Sequence, residues 1–150
     1  MIRYFTEDTT FSLKGKRLIS KWLREVALGR GYELGELNYI FCSDAYLLAI
    51  NRQFLGHDYE TDIITFDNSD DYLLETGRKG VSADIYISVE TVRANGDVYG
   101  EGFDRELLRV MAHGLLHLVG YDDGDDWHQR RMRAAENRAL KLYDAMRAGE

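Results

Sequence analysis

The chain of 150 residues contains no proline, where average usage would place about seven. Its turns must be made by Gly, Asn and Asp, and no proline isomerisation can slow folding. Cysteine is almost as scarce. Cys42 stands alone, which excludes a disulfide within the chain, and it is read as a small buried hydrophobe in an expected strand. No apolar run approaches the ~20 residues of a membrane span, and the N-terminus lacks a secretory-signal pattern. A cytoplasmic protein with no membrane partner is therefore expected. Positive charge is also short: 19 Lys and Arg face 26 Asp and Glu, a net charge of −7. That balance lacks the overall basic footprint of a nucleic-acid binder. The charge is uneven, however. Asp122, Asp123, Asp125 and Asp126 form an acidic knot, and Arg130, Arg131, Arg133, Arg138 and Lys141 follow it. A local basic surface is compatible with overall acidity. The basic run itself is read as the solvated face of a helix.

What is present is a globular composition, 45% hydrophobic and 30% charged, long enough for one domain with a sizeable core. A first strand is expected over 2–5. Residues 14–30 carry Leu18, Ile19, Trp22, Leu23, Val26 and Ala27 at helical spacing, read as a core-facing stripe. From Glu36 to Cys42, Leu37, Tyr39 and Phe41 alternate with Asn38 and Ile40, as in a strand. Ser43 or Asp44 can cap a helix running to about Phe54. Strands follow at 63–66 and 83–88, with an acidic, mobile stretch expected over 67–80. Helices are expected from Val89 to Tyr99, weakened by Asn95-Gly96, from Asp104 to near Gly120, and from Asp126 to Met146. The order β, α, β, α, β, β, α, α, α implies an α+β fold: a mixed β-sheet packed by helices, as a single domain over 1–150.

The strongest chemical signal is His113-Gly114-Leu115-Leu116-His117-Leu118-Val119-Gly120-Tyr121-Asp122-Asp123. Histidines four apart lie on one helix face, about one turn from each other. They can offer two imidazole nitrogens to one metal ion. Gly120 can take the left-handed conformation that ends a helix, so the chain can fold back and bring the carboxylate of Asp122 or Asp123 to the same ion. The spacing, with Gly120 and a third ligand at Asp123, is zincin-like. In zinc peptidases of the H-E-x-x-H type, the residue after the first His is the general base. Here it is Gly114, which argues against peptide hydrolysis by that route. His128, beyond the acidic knot, is the alternative third ligand. Two imidazoles and one carboxylate leave a divalent ion a formal charge of +1, and an open position would let it act as a Lewis acid on a phosphoryl or carbonyl oxygen. Zinc is the first choice of ion, and iron or nickel comes next.

The histidine segment resembles the signature of the YbeY family, bacterial metal-dependent endoribonucleases of ribosomal RNA maturation. Asn51-x-x-Phe54-x-x-x-Asp58-x-x-Thr61-Asp62-Ile63-Ile64-Thr65-Phe66 resembles the family's segment before its central strand, and Ala83-Asp84-Ile85 its Gly-Asp-Ile. The resemblance implies an α+β fold with a metal cleft, zinc as the usual ion, His113 and His117 as ligands, and ribosomal RNA and the ribosome as partners. The chain departs from the family at three places. Asp123 stands where a third His is usual, Leu55 where Arg is common, and Glu60 where Pro is usual. Arg109 and Arg105, one and two turns before His113, and Arg52 and His57, flanking Leu55, are the candidates for basic groups bordering the cleft. No general base is identifiable, and Glu136 and Met132 have no assigned role. Two other readings are carried: a ribosome assembly factor with a structural metal, and a metallohydrolase acting on a small molecule or peptide.

Overall fold

The fold, described by a computed structural model for residues 1–57 and 61–150, grows from two strands that are apolar on one face. Strands β2 (Leu34–Cys42) and β4 (Val81–Ser88) run parallel, pairing Leu37 with Ala83, Tyr39 with Ile85 and Phe41 with Ile87. Side chains alternate along a strand, so these six share one face. All six are buried in the main core. Strand β1 (Ile2–Glu7) adds parallel to β2, and β3 (Ile63–Asp67) adds antiparallel to β4. The result is a mixed sheet in the order β1-β2-β4-β3. The expected α+β class holds.

Helix α1 (Lys16–Leu28) buries all six residues of its stripe against this core. Its Trp22 indole N–H donates to the carbonyl of Ala139 at 2.7 Å, so the ring is buried without stranding its polar atom. Ala139 belongs to α6 (Asp126–Ala148), which packs with α1 and α5 (Phe103–Leu118). Helix α2 (Asp44–Leu55) takes the opposite face of the sheet, where Cys42, Leu47 and Ile64 form a small second core. Ser43 is its N-cap, accepting from the Tyr46 N–H at 3.1 Å. Cys42 is buried, as its reading as a small hydrophobe requires.

One expectation needs correction. The stretch 67–80 contains a helix, α3 (Ser69–Thr76). The Asp67 carboxylate accepts from both the N–H and the hydroxyl of Ser69, and Gly77, at φ 70°, ends the helix. Tyr72 fixes it to the sheet: its ring lies where a Cβ on Gly35 would come within 2.8 Å. Helix α4 (Val89–Val98) forms where expected, and its Gly96 is also a contact residue. A Cβ there would lie 2.7 Å from the Gly102 backbone, so only glycine permits α4 and the start of α5 to approach this closely. Among the described residues, no helix is long and apolar enough to cross a membrane.

Candidate metal centre

Helix α5 runs through the middle of the protein, and its apolar side chains anchor it on the sheet. Val110, Met111, Ala112, Leu115 and Leu116 are buried, and the Tyr39 hydroxyl donates to the Met111 carbonyl at 2.9 Å. His113 and His117 are only partly buried, with ring centroids 4.7 Å apart, as their four-residue spacing dictates. Gly114 faces the sheet between them. A Cβ on it would stand 2.9 Å from Ile63 Cδ1 and 3.2 Å from Ile85 Cγ2. Close packing of helix on sheet thus opposes the glutamate that a zinc peptidase carries at this position.

The chain then turns back as its glycine allows. Gly120 has φ 105°, the Tyr121 N–H donates to the Leu116 carbonyl at 3.0 Å, and the Gly120 N–H donates to the His117 carbonyl at 3.3 Å. This double closure is a Schellman ending. It returns Asp123 to the histidines, with Oδ2 3.4 Å from His113 Nε2 and 3.3 Å from His117 Nε2. Ligands about 2.0–2.1 Å from a tetrahedral ion are separated by about 3.3–3.4 Å, so these three atoms fit the edges of such a site. One ligand atom from each of His113, His117 and Asp123 lies within 4.8 Å of the others. The choice between Asp122 and Asp123 also has a local cause. Asp122 Oδ1 accepts from the Asp123 N–H at 2.7 Å and is spent on the turn, while Gln129 Nε2 donates to the Asp123 carbonyl at 3.1 Å.

Glu136, unassigned from sequence, proves central. It is buried in α6 and its Oε2 lies 2.7 Å from His113 Nδ1. A carboxylate at that distance holds the proton on Nδ1 and leaves Nε2 as a lone pair facing the other two ligand atoms. Burial works to lower the His113 pKa, but the bond to Glu136 and the charges of Glu136, Asp123 and Asp62 outweigh it and raise it. Burial would raise Glu136 in turn, yet its bonds to His113 and Arg109 bring it down. Replacing Glu136 with Gln keeps the shape but weakens the acceptor. Metal affinity is expected to fall about 10- to 100-fold, read by competition with a chelator.

The other candidates stand outside the three-residue cluster, although Arg109 borders a cavity that His113 and Asp123 also line. His128 lies in the first turn of α6, its Nδ1 2.8 Å from Asp125 Oδ2, and it does not join the cluster. Arg109 is a buried strut: its guanidinium donates to Glu136 at 3.2 Å, Asn137 at 2.9 Å and Glu101 at 3.3 Å. Arg105 pairs with Asp144 at 2.6 Å. Arg52 and His57 are exposed at the end of α2, and Leu55 is 42% exposed beside them. Asp58 and Glu60 lie outside the described residues. A cavity of about 420 Å³ opens beside the cluster, lined by His113, Asp123 and the first three turns of α6. A second cavity of about 290 Å³ also touches His113 and Asp123 and is lined by Asp62, Asn95, Glu106 and Arg109 among others. Burial raises the Asp62 carboxyl, against the pull of His113.

A family model described as Endoribonuclease YbeY matches residues 2–144. The chain belongs to the YbeY family. Its curated relatives include an Endoribonuclease YbeY from Cytophaga hutchinsonii, 47% identical over 142 residues that cover 94% of each chain. Another, from Phocaeicola vulgatus, is 46% identical over 95% of this chain and 98% of its own. Among solved structures, the solution structure of TM1509 from Thermotoga maritima superposes with a TM-score of 0.65 at 27% identity, covering 99% of this chain and 93% of that one. In this YbeY member, the cluster, its Glu136 support and the adjoining cavity all lie within the matched residues.

Proposed function

We propose that this chain, as one domain over residues 1–150, is a metal-dependent endoribonuclease that hydrolyses RNA phosphodiester bonds in ribosomal RNA maturation. The observation that carries this reading is the return of Asp123 to two imidazoles already aimed at one point, beside a cavity large enough for a phosphate. The name Endoribonuclease YbeY on relatives spanning nearly the whole chain supports the reaction class. The ribosome is the partner proposed, and the cytoplasm the compartment.

His113, His117 and Asp123 would hold the ion, with zinc preferred for a mixed nitrogen and oxygen donor set, and iron or nickel next. A divalent ion there supplies Lewis acidity toward charge developing on phosphate. The protein's own part is positional. Glu136 fixes the tautomer and direction of His113, Arg109 fixes Glu136, and Gln129 fixes the backbone of Asp123. Structural zinc sites are normally closed by four protein ligands. Three convergent ligands beside an open cavity favour catalysis over a purely structural metal.

The test is elemental analysis of wild type, Asp123→Ala and His128→Ala purified without an affinity tag, followed by cleavage of a ribosomal RNA transcript. Wild type and His128→Ala are expected to carry about one ion and to cut. Asp123→Ala should lose both properties. Metal lost from His128→Ala alone would move the third ligand, and metal-loaded wild type that binds RNA without cutting it would favour the assembly factor.

A further inference from the structure

The basic run of α6 does not behave as a uniform solvated face. Arg131 stacks on Trp127 at 4.8 Å, and Arg138 donates to the Tyr121 hydroxyl at 3.2 Å. Arg133 lies 3.8 Å from Glu136. Arg130 differs from these three. Among the described residues its side chain makes no hydrogen bond or ion pair, yet it lines the same cavity as His113 and Asp123. Positions 126, 130 and 133 follow one another at helical spacing on the cavity side, so Arg130 and Arg133 form a short cationic row leading to the metal centre. Asp126 lines the cavity as well and would repel an anion at its outer end. Arg130 is exposed and its side chain is unpaired among the described residues, so its guanidinium is available to an anion entering the cavity.

We propose that Arg130, assisted by Arg133, grips the RNA backbone next to the reacting phosphate and so sets the path of the strand along α6. This rests on the endoribonuclease reading and names the residues through which the substrate is held. The planar guanidinium suits two phosphate oxygens at once. Trp127, one turn before Arg130 and 53% exposed, lies beside the row. Alternation of aromatic and Arg side chains along a groove is how proteins hold unstacked nucleic acid.

The experiment measures binding of a fluorescein-labelled 2′-O-methyl RNA strand to the metal-loaded protein by anisotropy, over a range of salt. Wild type is compared with Arg130→Ala, Arg130→Lys and Lys21→Ala. Lys21 is exposed on α1 and lies about 24 Å along α6 from Arg130, near the helix's C-terminal end. Arg130→Ala is expected to keep its metal, to bind about fivefold more weakly at 0.1 M salt, and to lower the slope of log affinity against log salt by about 0.7. Arg130→Lys should restore the slope, and Lys21→Ala should match wild type. An Arg130→Ala slope equal to wild type overturns the proposal, as does an equal loss in Lys21→Ala, which would mean diffuse attraction. Cleavage of unmodified RNA by wild type separates the two failures. If wild type cuts and Arg130→Ala binds normally, only this proposal falls. If metal-loaded wild type neither binds nor cuts, the endoribonuclease reading falls with it.

Discussion

Replacing His117 with alanine is expected to strip the metal from the chain and leave the fold almost untouched. The side chain is 33% exposed, and its one ion-pair contact among the described residues is Asp123 Oδ2, itself a member of the cluster. Removing it leaves nothing buried without a partner, and alanine is the better helix former. The cost to stability should stay within about 1 kcal/mol. Two remaining ligands cannot make the three-ligand site of a catalytic zinc. Metal content by elemental analysis should drop to under about a tenth of wild type, while the unfolding midpoint of the metal-free proteins stays close. Full metal content in the mutant would remove His117 from the site. His113→Ala loses the metal too, but it also takes from buried Glu136 its nearest partner. That costs about 1–3 kcal/mol more, so the two histidines are separable by denaturation.

The second large effect concerns the residue between them. Gly114→Glu would write the H-E-x-x-H pattern into this helix, and it is expected to destabilise the protein by more than about 3 kcal/mol without creating a peptidase. The first atom of any side chain at 114 already presses on Ile63 and Ile85, and Ile85 is fully buried. Overpacking alone costs about 1–3 kcal/mol. A carboxylate driven between helix and sheet adds the price of burying an unpaired charge. Small domains hold only about 5–15 kcal/mol in all, so the urea midpoint should fall steeply. Gly114→Ala is the milder case. Ile63 Cδ1 can swing aside, but Ile85 Cγ2 is fixed by its β-branch, and about 1 kcal/mol of helix propensity works the other way. A Gly114→Glu variant as stable as wild type would refute the close packing of α5 on the sheet.

What the sequence reveals depends on whether a residue's neighbours are close in the chain. The α1 stripe, the alternation of β2 and the turn at Gly120 are local patterns, and each is found in the structure where the spacing places it. The convergence of His113, His117 and Asp123 is local as well, since all three lie within one helix end and one turn. Glu136 was illegible for the opposite reason. It reaches His113 only because α6 packs back on α5, 23 positions away, and no short-range pattern encodes that contact. Arg109 borders the cleft as its spacing implies, but its partners were illegible in the same way. Helical spacing sets it on the His113 side, but not that Glu136, Asn137 and Glu101 arrive there first. His128 is claimed by its own N-cap, Asp125. Helix α3 carried cap signals in Asp67 and Gly77, but its attachment through Tyr72 depends on the distant Gly35.

The shortness of the segment from His113 to Asp123 has a thermodynamic consequence. An ion bound by these three side chains ties off a loop of about ten residues, and closing so small a loop restrains the unfolded chain by only about 2 kcal/mol. The sheet and helices that carry the donors are joined by contacts that do not pass through the ion. Such an ion is a guest whose hold follows its concentration and affinity by mass action. It can depart and return while the scaffold stands, which separates it from a zinc that staples a small fold together.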